Sequence, residues 1–245
     1  DVEFIYTEPL GIHNKMAQVV LERIHASSGL KPEEIEERSF EIISGEIDLS
    51  DIPEERQPIV KRVIHTTADF EFKGSLVFHP DAVKAGIAAI KACKDILTDV
   101  EMVRTGINKK LLEKWGGKVV CKIQGSDNNT CRGTARHAPT HTRAELGIEA
   151  ALKQNSNIGI VAIGNAPTAL LKVIELFNNS SLITHNSSLV VGVPVGFVKA
   201  LESKALLAKQ RFPFITNLSR KGGSTVAVAI VNALLKMAEG GDDQK

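Results

Sequence analysis

Five short apolar runs, Asp95–Asp99, Lys118–Ile123, Ile158–Ile163, Leu189–Val193 and Pro213–Leu218, punctuate the last two thirds of the chain. Runs of this length, rich in Ile, Val and Leu, read as strands buried on both faces. Segments of helical pattern lie between them at Lys109–Trp115, Thr142–Lys153, Pro167–Phe177 and Phe197–Lys209, and Gly223–Ala238 closes the series. Such alternation specifies a parallel sheet with helices on both faces, because each crossover must carry the chain back to the same end of the sheet. The pattern therefore predicts an α/β fold: a three-layer, flavodoxin-like, doubly wound sheet of five mainly parallel strands over residues 95–239.

The first third is charged and helical in pattern. Ile12, Met16, Val19, Val20 and Ile24 recur at helical spacing up to a stop at Gly29, and a second helix is expected over Ile35–Ile43. Pro53 opens a third, running through Ile59, Val60, Val63 and Ile64 to His65, and Pro80 opens a fourth with Val83, Ile87 and Ile90 on one face. Residues 1–94 are thus expected as a helical region packed on the same domain, with 240–245 as a flexible tail, so that 245 residues make one domain overall.

Composition narrows the function. Lys and Arg number 30 against 29 Asp and Glu, and this near balance lacks the field of a general nucleic-acid or acidic-membrane binder. Aromatic residues make up 4%, too few for a base-stacking platform. No apolar stretch reaches membrane-spanning length. Cys93, Cys121 and Cys131 are an odd set in a long chain and form no disulfide framework, so a reducing cytoplasm is the expected location.

Ligands of open α/β sheets bind beyond the carboxyl ends of the strands, where loops converge and helix N-termini offer N–H groups. Three loops there have binding composition. Gly164-Asn165-Ala166-Pro167 offers a tight turn, an amide and a helix start; Gly192-Val193-Pro194-Val195-Gly196-Phe197 leads into Glu202-Ser203-Lys204; Arg220-Lys221-Gly222-Gly223-Ser224 combines two cations, two glycines and a hydroxyl. Neither the phosphate loop Gly-x-x-x-x-Gly-Lys-Ser/Thr nor Gly-x-Gly-x-x-Gly after a strand occurs, which leaves Gly222-Gly223-Ser224 as the one place for a phosphate. His65 ends an amphipathic helix beside Thr66, Thr67 and Asp69, and histidine is the side chain suited to proton transfer near neutral pH. No Gly-x-Ser-x-Gly elbow accompanies it, so hydrolase chemistry gains nothing. Cys121, Cys131, His137 and His141 depart from zinc-site spacing and Pro139 breaks any helix carrying both histidines, so no protein-bound metal is expected.

Taken in order, these loops with Asn232-Ala233-Leu234, the upstream Arg38-Ser39-Phe40-Glu41-Ile42-Ile43, Ile64-His65 and Thr98-Asp99-Val100-Glu101-Met102-Val103 resemble the precorrin-8X methylmutase family of cobalamin biosynthesis, over about residues 32 to 236. The resemblance implies a flavodoxin-type isomerase, active as a homodimer, that moves a methyl group from carbon 11 to carbon 12 in ring C of a contracted tetrapyrrole to give cobyrinate or hydrogenobyrinate. It maps the catalytic histidine, a general acid near ring C, onto His65, and family active-site positions onto Ser39 and Arg143, the latter as a carboxylate clamp or ring-orienting group. Ala144 stands where the family usually has Ser. Substrate binding is then expected at Ser39, Thr66, Arg143, Gly164, Asn165, Arg220, Gly222, Gly223 and Ser224. The His65-Thr66-Thr67-Ala68-Asp69-Phe70 form is similar to the early-cobalt branch, in which cobalt arrives within the substrate; no cofactor is expected, and either the cobalt-bearing or the metal-free substrate fits. Two other readings are a noncatalytic tetrapyrrole carrier and a flavodoxin-like module for a phosphate-bearing cofactor.

Overall fold

The computed structural model describes residues 31–121, 142–179 and 188–240, in two compact units that divide after Glu46. The expected helix around Ile12–Ile24, Cys131, His137, His141 and residues 241–245 lie outside the described residues. Within the first unit, α1 spans Pro32–Glu46.

The second unit opens with a 3-10 turn, Glu54–Arg56, and α2, Gln57–Thr67. It continues through α3 (Phe72–Ser75), β1 (Leu76–Phe78), α4 (Ala82–Lys91), β2 (Asp95–Thr98), α5 (Glu101–Gly106), α6 (Lys109–Glu113) and β3 (Val119–Cys121). After these come α7 (Arg143–Gln154), β4 (Ile158–Ile163), α8 (Pro167–Asn179), β5 (Leu189–Gly192), α9 (Ala200–Leu207), β6 (Phe214–Asn217) and α10 (Ser224–Gly240).

The sheet order is β1-β6-β5-β4-β2-β3. All neighbours are parallel except β1, which runs antiparallel to β6 with Val77 opposite Thr216. The five parallel strands alone, counted in chain order, therefore read 2-1-3-4-5, the flavodoxin-like winding. Every residue of β4 is buried, as its central place demands. On one face Leu97, Val161, Ile163, Val190 and Phe214 pack with Ile148 of α7, Leu170 and Val173 of α8 and Leu207 of α9. On the other, Leu189 meets Leu234 of α10 across Gly86 of α4. Outside that second layer, α2 packs on α10 through Ile59, Val60, Val63 and Ile64.

Three expectations need correction. Among the described residues the sheet has six strands rather than five, and the sixth lies within the supposedly helical region 1–94. Leu76-Val77-Phe78 is three residues long, half-buried and at an edge, so it carries too little alternation to register as a pattern. The helix expected over Phe197–Lys209 is shorter, since Lys199 takes a left-handed φ of 60° and α9 begins only at Ala200. Short α3 and α5 escaped notice because neither is long enough to show a helical period. No described helix is long and apolar enough to cross a membrane.

Packing against the sheet is close at Gly192. A Cβ there would lie 2.5 Å from Leu207 Cδ2 and 2.7 Å from Leu170 Cδ1, and both leucines are fully buried. Gly192→Ala is expected to destabilise the protein by about 1–3 kcal/mol through overpacking, read from urea unfolding.

Candidate active site

The winding reverses between β2 and β4, where one chain leaves toward β3 and the other toward β5, and this is the crevice in which doubly wound proteins hold their ligands. Here it is filled from within. Asp99, immediately after β2 and wholly buried, accepts hydrogen bonds from the N–H groups of Gly164 (3.0 Å to Oδ1), Asn165 (2.8 Å to Oδ2) and Ala166 (2.7 Å to Oδ2). Burial pushes its carboxyl above the ordinary value, and the three main-chain donors pull in the opposite direction. Two consequences follow for the sequence reading. The main-chain N–H groups of Gly164, Asn165 and Ala166, in the loop that leads into α8, are already engaged. A phosphate seated at this crevice would meet a carboxylate and find those donors taken, which removes the basis for a flavodoxin-like cofactor there.

Beside this crevice lie the loops after β4, β5 and β6, and those after β5 and β6 are joined main chain to main chain. Gly223 N–H donates to Val193 O (2.8 Å) and Gly196 N–H to Arg220 O (3.2 Å). Gly222 has φ +145°, and a Cβ on it would fall 2.3 Å from Val193 O, so both the conformation and the close approach require glycine. At Gly164 a Cβ would come within 2.8 Å of Ser224 Cα, so the β4 loop abuts the start of α10. The first hydrogen bond of α10 runs from Ala227 N–H to Gly223 O, which leaves the N–H groups of Ser224, Thr225 and Val226 without partners inside the helix. Arg220 lies over the Phe197 ring at 5.5 Å.

His65 sits in the last turn of α2, exposed because the apolar face of the helix is spent on α10. Ala68 ends the helix in a left-handed conformation, its N–H bonded to Ile64 O at 2.7 Å. The hydroxyls beside His65 turn back into the helix, Thr66 Oγ1 donating to Arg62 O and Thr67 Oγ1 to Val63 O, both at 2.8 Å. Asp69 points elsewhere: with Glu71 it binds Lys221 Nζ, at 2.6 and 2.7 Å. The Lys221 ammonium, paired to both, holds the Asp69 carboxyl below its usual range. That bridge fastens the segment after His65 to the glycine loop.

Arg143 is exposed in the first turn of α7, whose start is fixed by a capping box: Thr142 Oγ1 accepts from Glu145 N–H, and Glu145 accepts from Thr142 N–H. Thr142 Oγ1 also lies 2.9 Å from Thr168 Oγ1, which sets this turn against the start of α8 and its Gly164–Asn165 loop. The structure thus joins Gly164, Asn165, Arg220, Gly222, Gly223 and Ser224 at one sheet edge and ties to them the segments bearing His65, Thr66 and Arg143. Ser39 belongs to the first unit, where its hydroxyl donates to Ile35 O at 2.9 Å. Among the described residues no group of three or more His, Cys, Asp or Glu is placed to hold a metal. Asp99 and Lys204, neither among the expected site residues, are buried at this end of the sheet; Lys204 Nζ donates to Asn217 Oδ1 (3.2 Å) and Lys221 O (2.7 Å).

The model of the precorrin-8X methylmutase family matches residues 34–237, a span that includes every one of these segments. The chain belongs to that family. Methylmutases are isomerases, enzymes of intramolecular methyl transfer. Among relatives, the cobalt-precorrin-8 methylmutase of Priestia megaterium is 47% identical over 86% of this chain and 91% of its own length. That of Salmonella typhimurium is 42% identical over 84% and 95%. The crystal structure of precorrin-8X methylmutase from Thermus thermophilus superposes with a TM-score of 0.71 at 38% identity, covering 84% of this chain and 98% of that one.

Two measurements test the buried polar groups of this methylmutase fold. Asp99→Asn sets an amide N–H₂ against main-chain N–H donors, so stability should fall by about 2 kcal/mol in urea unfolding. Burial lowers the Lys204 ammonium from an ordinary 10.5 to about 8. The folded state then binds this proton less readily than the unfolded one, so the stability contributed is complete above 10.5 and lost as pH falls through about 8. The stability difference between wild type and Lys204→Met should therefore shift in favour of wild type as pH rises across that window.

Proposed function

We propose that this chain moves a methyl group from carbon 11 to carbon 12 in ring C of cobalt-precorrin-8 or precorrin-8X, giving cobyrinate or hydrogenobyrinate in cobalamin biosynthesis, with His65 as general acid. The observation that carries this reading is the meeting of the loops after β4, β5 and β6 at one sheet edge within the second unit, with the exposed His65 turn fastened there through Lys221. The names of the relatives favour the cobalt-bearing substrate.

The reaction rearranges one molecule, so it consumes no methyl donor, reductant or nucleophile; cobalt travels as part of the substrate and no cofactor is assigned. A proton lent by His65 to the ring system near ring C makes it electron-poor, the methyl group migrates with its bonding electrons to carbon 12, and the proton returns to the imidazole. The tetrapyrrole is fringed with acetate and propionate carboxylates. Arg143 and Arg220 suit those groups by charge-assisted pairing, and Asn165, Ser224 and the unpartnered N–H groups opening α10 add neutral donors. Ser39 and Thr66 are assigned to the same substrate by family position.

A homodimer in the cytoplasm is part of the proposal. Beside the site, Phe197 and Val198 are 83% and 78% exposed, an apolar ridge of the kind that a partner subunit covers.

His65→Ala should keep its fold and its binding of hydrogenobyrinic acid, followed by absorbance titration, while turnover falls about 10²- to 10⁴-fold. Turnover at the wild-type rate would end the general-acid assignment. Product binding with no isomerisation by the wild-type chain at any pH would turn the reading to a tetrapyrrole carrier.

A further inference from the structure

Lys204 has no solvent contact, and the proposed chemistry does not use it. Both acceptors described for its ammonium lie at the β6 end: Asn217 Oδ1 in the last residue of the strand and the main-chain oxygen of Lys221. Asn217 Nδ2 donates to that same oxygen at 2.9 Å and to Ser219 Oγ at 2.8 Å. One carbonyl, the one that precedes Gly222, is therefore gripped by two buried donors. The two residues after it have φ of +145° and +117° and no side chains with which to anchor themselves. On the outer side the Lys221 ammonium is held by Asp69 and Glu71.

The geometry points to Lys204 as a positioning residue for substrate binding, which fixes the Lys221 carbonyl from α9 and so sets the course of Gly222–Ser224 against the carboxylate fringe of the tetrapyrrole. This rests on the assignment of that loop to corrinoid binding. Two successive glycines left unanchored sample many backbone states, and freezing them at the moment of binding weakens affinity. With the strut in place, the ordering is completed during folding. A lysine serves here because its four-carbon stem crosses the apolar layer beneath the loop and delivers its donors at the far end.

The test uses the full chain and its Lys204→Met and Asn217→Ala variants, with hydrogenobyrinic acid titrations, steady-state kinetics and amide hydrogen exchange. Kd and KM should rise about tenfold while kcat at saturation changes by less than about threefold. Exchange should quicken at Gly223 and Ser224 and stay slow in β4. A role in stability alone would lower kcat through loss of folded enzyme, leave KM in place and quicken exchange throughout. A folded Lys204→Met with Kd and KM within about twofold of wild type, or with kcat lost at constant KM, overturns the proposal. Should Lys204→Met not fold, Asn217→Ala decides by the same criteria. A wild-type chain that fails to bind hydrogenobyrinic acid overturns the loop assignment and this inference with it, whereas binding by wild type together with an indifferent variant overturns the inference alone.

Discussion

The carboxylate of Asp99 sits where a doubly wound sheet divides, and much of the site's geometry depends on what it does there. Beyond the carboxyl ends of the paired strands β2 and β4 the connections diverge, and the crevice between them is lined with main-chain N–H groups, attractive to any small anion. Asp99 supplies that anion from the chain itself and consumes the donors of Gly164, Asn165 and Ala166. A buried carboxylate is expensive, and its three hydrogen bonds offset part of the desolvation. In return, the loop that starts α8 is locked to β2, and the usual cofactor position of the fold is closed. In the proposed function, substrate recognition falls to the side, on the loops after β4, β5 and β6.

Those loops are shaped by main chain meeting main chain. Gly222 against Val193 O, Gly223 N–H on Val193 O and Gly196 N–H on Arg220 O form a floor to which side chains contribute little. Side chains then hold the floor at Lys221: its carbonyl from the core through Lys204 and Asn217, its ammonium from the α2 side through Asp69 and Glu71. The outer ion pairs are solvent-accessible and weak by nature, while the inner hydrogen bonds are shielded from water. The arrangement is firm beneath and yielding above.

Much of this was legible in the sequence. β4 was found to the residue because a central parallel strand must be apolar without interruption, and Ile158–Ile163 is. The glycine loops were visible because unusual backbone leaves a compositional trace, and His65 and Arg143, which the family resemblance named, are exposed on segments tied to those loops. What escaped were pairings across sequence. The partners of Asp99 lie some 65 residues onward, and nothing local to Thr98-Asp99-Val100 announces them. Nothing local to Glu202-Ser203-Lys204 announces that Asn217 and the Lys221 carbonyl await the lysine. Leu76-Val77-Phe78 becomes a strand only by leaning on β6.

That last dependence bears on the order in which the molecule comes together. β1 pairs with β6, and the helix bearing His65 rests on α10, although nearly the whole of the second unit separates them along the chain. Contacts so distant in sequence form late, because the intervening loop must close before they repay its entropy. The parallel core can organise from neighbouring strand and helix units while α2 still lacks its seat. The imidazole assigned to the chemistry is therefore delivered to the substrate edge only when the C-terminal helix has docked, so a nascent or partly unfolded chain holds a sheet but no working site.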